Sequence, residues 1–202
     1  MDQHAVNYFK KQAKQLLHLV QNGDAPALAR FKQHDAADSP TLMRAQHVLA
    51  NEAGFRSWKS LLAASDPERQ LAALMHDLPL LCDHGIGVFD VPRRTREERT
   101  RLLAENRKML RQSVADVQRT IAWLQANIAR IKTVNSSANS YGLKHCAERD
   151  IGYITNGVFI AAAIIGGYGY RLLTGSANVN FAMSKRSIDA VYDRQNRRKR
   201  QA

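Results

Sequence analysis

Cysteine is nearly missing from this chain, with only Cys82 and Cys146 among 202 residues. Two cysteines without ligand spacing make neither a disulfide framework nor a zinc site, so idle thiols in a reducing cytosol are expected. The seven histidines are scattered, and none stands at ligand spacing from a second histidine and a carboxylate. No metal and no cofactor is expected. A catalytic constellation is lacking too: no nucleophile, base and oxyanion donor assemble, and His145-Cys146 beside Glu148 do not share a helix face. The chain therefore reads as not an enzyme. Met1-Asp2-Gln3-His4 opens no apolar signal segment, which favours a cytoplasmic protein. Residues 151–170 carry no charge, but Thr155, Asn156 and five glycines dilute them, so a buried core helix is expected there, not a membrane span.

Glycine and proline are absent throughout residues 93–134. The apolar residues there follow a heptad: Leu103, Leu110, Val117, Leu124 and Ile131 take one seam position, and Val114, Ile121 and Ile128 the other. Arg107 breaks the seam near its start. One long coiled-coil-like helix is expected. The residues Leu110, Val114, Val117, Ile121, Leu124, Ile128 and Ile131 form its dimerisation seam, giving a homodimer. Packing of the same seam within one chain is the alternative.

Acidic residues are scarce relative to basic ones, leaving a formal net charge of +12. The excess is localised. Residues 93–134 carry 11 basic and 4 acidic groups, and residues 194–202 carry 5 basic and no acidic group. Localised positive charge attracts polyanions. The expected nucleic-acid contacts are Arg93, Arg94, Arg96, Arg99, Arg101, Arg107, Lys108 and Arg111 on the helix, with Arg197, Arg198, Lys199 and Arg200 in the tail. Guanidinium groups pair bidentately with phosphates.

Along the chain, residues 3–22 show one apolar helical face stopped by Asn22-Gly23. Asp24 caps a second helix, Ser39-Pro40 opens a third, Gly54 ends it, and Ser57 caps a fourth. Asp66-Pro67 starts a fifth. The run from Ala45 to Leu61, with Glu52, Gly54-Phe55 and Ser57-Trp58, resembles a short helical module of some ankyrin-type and glyoxalase-related bacterial proteins. That resemblance implies a small all-helical unit for protein contact and no active site. The flexible composition of residues 83–92 marks a linker. Thr95 then caps the long helix, with Glu97 and Glu98 in its first turn.

After a polar break, Ser140 caps a helix to Asp150, and Thr155 or Asn156 caps an apolar helix. Alternation at Tyr168, Tyr170 and Leu172, a turn at 174–177, and alternation at Val179, Phe181 and Met183 predict a β-hairpin. The order helix, turn, helix, hairpin is that of a winged-helix-like unit, in which Lys144, His145 and Arg149 would meet nucleic acid. Ser140-Tyr141-Gly142-Leu143-Lys144-His145, Gly152-Tyr153-Ile154-Thr155-Asn156-Gly157 and Asn178-Val179-Asn180-Phe181 resemble a family of uncharacterised plasmid and integrative-conjugative-element proteins. This resemblance implies a mobile-element context and no activity.

The expected architecture is mainly α. It has a small helical bundle (1–82), a linker (83–92), a long basic helix (93–134), a C-terminal α+β unit (140–193) and a disordered basic tail (194–202). The expected function is that of a nucleic-acid-binding accessory or regulatory protein of a mobile element, acting on DNA in preference to RNA. The alternative is a protein-binding adaptor or inhibitor, for counter-defence or conjugation control, with a host or mobile-element protein as partner.

Overall fold

The computed structural model describes residues 3–34, 39–87 and 94–201. These form ten helices and two short antiparallel hairpins, so the fold is mainly α. The chain divides into two compact units, Met1–Asp77 and Leu78–Ala202.

The first unit holds α1 (Gln3–Gln21), α2 (Ala25–His34), α3 (Leu42–Glu52), α4 (Trp58–Ala63) and α5 (Asp66–Asp77). Local chemistry sets most of the ends. Gly23 and Gly54 take positive φ after α1 and α3. Asp24 Oδ1 accepts the Ala27 N–H at 2.8 Å, and Ser57 with Ser60 closes a reciprocal capping box. The cap of α3 is Thr41, not the expected Ser39, because the Thr41 side chain is the one that accepts an α3 amide, that of Arg44. The apolar stripes of α1, α2 and α3 meet in one cluster around Leu16, Phe31 and Leu49. Phe9, Ala50, Leu61 and Ala72 form a second cluster, with Phe55 and Trp58 packed on it.

A polar chain crosses this unit. Arg30 Nη2 donates to His76 Nε2 at 3.2 Å and Arg30 also pairs with Glu52 at 2.5 Å. Guanidinium is only a donor, so His76 Nε2 must accept and Nδ1 carries the proton. Nδ1–H then donates to Tyr8 Oη at 2.6 Å, and the Tyr8 hydroxyl donates to Asp77. The arrangement requires neutral His76. Burial, followed by the Arg30 charge, holds its pKa below the usual imidazole value.

The second unit is built around α9 (Asn156–Ile165), which is buried on every side from Asn156 to Ala163. A helix apolar all round must be covered all round. α7 (Val114–Asn127) and α8 (Ser140–Ile151) pack against it. The hairpin of β3 (Tyr170–Leu172) and β4 (Val179–Phe181) pairs Tyr170 with Phe181 and Leu172 with Val179. Phe181 meets Phe159 of α9 edge-on, with centroids 6.1 Å apart. A second hairpin, β1 (Leu81–Cys82) and β2 (Gly85–Ile86), closes over the start of α9. The Gly157 N–H donates to Asp83 O at 2.9 Å. A Cβ at Gly157 would sit 1.9 Å from Cys82 O, so this close approach requires glycine.

Three expectations are corrected by the fold. Residues 78–87 are not a linker and do not belong to the N-terminal module: they form the β1–β2 hairpin of the second unit. Residues 88–93, the rest of the expected linker and the first residue of the long helix, lie outside the described residues. The single long helix is two helices, α6 (Arg96–Gln112) and α7, separated at Ser113 with φ −91° and ψ 28°. The Ser113 N–H tightens to Leu110 O at 3.0 Å and its Oγ bonds Met109 O at 3.1 Å. The break lets α6 pack on β1 while α7 packs on α9. Ile128 is already extended, and Ile131 N–H bonds Ala182 O beside β4 at 3.0 Å.

The basic tail, expected to be disordered, continues α10 (Lys185–Gln201). Ile188, Val191 and Gln195 are buried at helical spacing. Gln195 Nε2 donates to Cys146 O at 2.9 Å, and Arg194 Nη2 reaches Asn127 at 2.8 Å and Asp150 at 3.1 Å. Side-chain anchorage, not tail composition, decides the conformation.

The heptad seam is spent inside this unit. Leu110, Val117, Leu124 and Ile128 are buried in their own chain, Val114 and Ile121 are half-buried, and Ile131 is exposed. Of the two packings open to it, most of the seam has the intrachain one.

Candidate nucleic-acid interface

Charge separates the two units. Residues 1–77 carry 9 Lys and Arg against 8 Asp and Glu; residues 78–202 carry 21 against 10. Nearly the whole cationic excess belongs to the second unit.

Its basic side chains fall into two groups. Some hold the fold. Arg107 turns inward, and its Nη1 donates to the carbonyls of Leu78, Pro79 and Leu81 at 3.2, 2.6 and 3.0 Å. Arg111 is half-buried, and burial lowers its pKa. Lys144 is 6% exposed and bonds Glu148 at 2.7 Å. His145 bonds the other Glu148 oxygen at 2.7 Å. Burial pushes the Glu148 carboxyl up, but the bonds from Lys144, His145 and the Ile154 amide outweigh it and hold its pKa low. Arg107 and Lys144, expected on a phosphate surface, are thus parts of the framework.

The others face water. Arg96, Arg99, Arg101 and Lys108 are exposed along α6, and Arg94 is half-buried beside its start. Arg99 bonds Arg94 O at 3.1 Å and Arg101 lies 4.0 Å from Glu105, a loose surface pair. Arg197, Arg198, Lys199 and Arg200 are exposed at the end of α10, where cations also complement the helix dipole. Arg198 approaches Asp150 at 3.6 Å. Arg149 is exposed on α8, its guanidinium 5.8 Å from the Tyr192 ring centre. Arg93 lies outside the described residues.

Between the two hairpins and α8 lies a cleft of about 1040 Å³. One wall carries Tyr141 and Tyr153, 53% and 73% exposed. The Lys144 ammonium lies 5.8 Å from one ring centre and 5.1 Å from the other, so both rings share that wall. Tyr153 is held firmly despite its exposure. Arg119, paired with Asp116 at 3.0 Å, donates to the carbonyls of Ile151 and Tyr153, and the following amide, Ile154 N–H, bonds Glu148 at 3.3 Å.

The floor is Asn156, 7% exposed. Its Nδ2 donates to His84 O, Ala177 O and Asn178 Oδ1 at 3.3, 3.2 and 3.1 Å, tying both hairpins together. Thr155 caps α9 and donates its hydroxyl to Asp83 at 2.9 Å. Burial raises the Asp83 pKa against the lowering effect of that bond. The far wall is the turn at 172–178.

The sequence points to Lys144, Thr155 and Asn156 in this region but not to the cleft. Tyr141, Tyr153 and Arg119 belong to no motif that marks them as functional. The one local sign is Gly152-Tyr153, an aromatic beside a helix-ending glycine with φ +78°. The two cysteines are free and buried, and burial pushes the Cys146 thiol up to about 11, so it stays neutral. Among the described residues no cluster of metal-ligating side chains occurs, and no helix is long and apolar enough to cross a membrane. The chain matches no protein-family model, no curated protein and no solved structure.

Proposed function

We propose that the second unit binds nucleic acid by contacts to backbone phosphates, as an accessory or regulatory protein rather than an enzyme. The observation that carries this reading is the division of basic groups. The second unit uses Arg107, Arg119, Arg194 and Lys144 for its own structure and still presents Arg96, Arg99, Arg101, Lys108, Arg197, Lys199 and Arg200 to solvent. Exposed cations beyond the needs of the fold favour a polyanionic partner. α9 has no exposed face from Asn156 to Ala163 for a groove, so base readout by a recognition helix is not part of the proposal.

The test is fluorescence anisotropy with random-sequence DNA and RNA over a salt series. Binding that weakens linearly in log–log form is expected. The triple reversal Arg197→Glu, Lys199→Glu, Arg200→Glu lowers affinity about tenfold or more, and the slope becomes shallower by roughly 0.9 for each phosphate that is no longer neutralised. The reversal Lys10→Glu, Lys11→Glu, Lys14→Glu, on exposed positions of α1, leaves binding unchanged. Absence of binding at low salt overturns the reading.

A protein-adaptor role has one observation in its favour, the exposed Leu42 and Met43 at the start of α3. A stoichiometric host partner recovered after nuclease treatment would support it instead.

A further inference from the structure

The cleft differs from the surface around it. The unit as a whole is strongly cationic, but the cleft lining is close to electrically balanced. The charged groups of the lining are the Lys144 ammonium, which bonds Glu148, and the Asp83 carboxylate. A phosphate gains little there. The lining is instead two tyrosine rings, apolar side chains of Leu80, Ile86 and Leu172, and short polar groups on the 172–178 turn. Asn178 Oδ1 accepts from Asn156 Nδ2, and the Asn178 side-chain NH2 is a hydrogen-bond donor of the same lining. A flat, neutral group with polar edges fits such a lining.

Both rings stand open to solvent on one wall. Tyr153 leaves nearly three-quarters of its surface in water, yet Arg119 and Glu148 fix the backbone on both sides of it. A rigidly supported, solvent-facing aromatic is the construction of a stacking platform. The volume, about 1040 Å³, lies at the top of the range of roughly 300–1,000 Å³ for small-ligand sites, more than one flat ring needs.

We infer that this cleft takes an unpaired base of a single-stranded nucleic acid, stacked on Tyr153 and Tyr141, while the exposed cations of the second unit hold the flanking phosphates. The inference rests on the nucleic-acid reading above and names the form of its ligand. Bases inside a duplex keep their faces stacked and cannot use the platform. The protein therefore prefers a single strand to the duplex of the same sequence.

Anisotropy titrations of a mixed-sequence single strand and its duplex test this with the full-length chain. The pair Tyr141→Leu, Tyr153→Leu loses roughly fivefold to a hundredfold in single-strand affinity, the range for one aromatic-stacked base. Its duplex affinity changes less than about twofold, and its salt slope does not change, because no phosphate partner is removed. The pair Tyr141→Phe, Tyr153→Phe keeps the rings and retains binding. Tyr153→Ser alone gives a smaller loss of the same selectivity, and it decides the matter if the leucine pair does not fold. Equal loss on both ligands, or no loss on either, overturns the cleft assignment and leaves phosphate binding standing. Failure of the unaltered protein to bind either ligand at low salt overturns both.

Discussion

The two units spend their arginines differently. In Met1–Asp77, Arg30 joins Glu52 and His76, and Arg69 is buried, donating to the carbonyls of Leu62 and Ala64. Charge there is balanced and used inward. In Leu78–Ala202, Arg107 and Arg119 do similar backbone work, but further cations line α6 and the end of α10 in water. The lesson is that net charge alone does not mark an interface. Charge left over after the fold has used its share does, and only side-chain geometry separates the two.

The largest effect that would break this contrast is in the core. Leu124→Asp puts a carboxylate at a fully buried site of α7. It should cost more than about 4 kcal/mol and unfold the second unit. Urea denaturation followed by circular dichroism reads this, and a mild effect would mean that the seam is not core.

A middle-sized effect sharpens the split within the basic residues. Arg107→Met removes a donor shared by three carbonyls, of which Leu78 O keeps the Leu81 N–H. A loss of about 2–4 kcal/mol is expected. Nucleic-acid affinity per folded molecule should stay the same, since the guanidinium faces inward. A large drop in affinity without loss of stability would put Arg107 back on the binding surface.

The smallest effect is a pH dependence confined to the first unit. His76 has a lowered pKa when folded, so the unfolded chain binds its proton more readily. The stability from neutral His76 is complete above the unfolded value of 6.5 and is lost as pH falls below it toward the folded value. Protonated Nε2–H would face the Arg30 donor. The variant His76→Gln should flatten thermal stability between about pH 7 and pH 5, the window below the unfolded value, measured by calorimetry. An unchanged pH profile would remove His76 as the cause.

Much of the fold is legible in the sequence because its signals are local. Thr95 with Glu98, Ser57, Asp24 and Thr155 cap helices through side chains only three residues from their targets. The β3–β4 hairpin follows from two-residue alternation, and α9 from an apolar run too rich to face water. The break at Ser113 is not legible, because Leu110 and Val117 keep heptad spacing across it while facing different neighbours. The site is less legible still. Lys144 reads as a phosphate contact until Glu148, four residues on, is seen to hold it in the wall of a cleft.

By itself, the sequence determined a mainly helical chain, most helix starts, the C-terminal hairpin and the placement of positive charge. These depend on neighbours within about a helical turn, or on composition alone. Tertiary structure decided that the seam serves its own core, that the basic tail is anchored as a helix by Gln195 and Arg194, and that Tyr141 and Tyr153 stand together over Lys144. Burial and juxtaposition arise only when distant segments meet, so one residue type reads alike in a core, a clamp or a binding face until its surroundings are known.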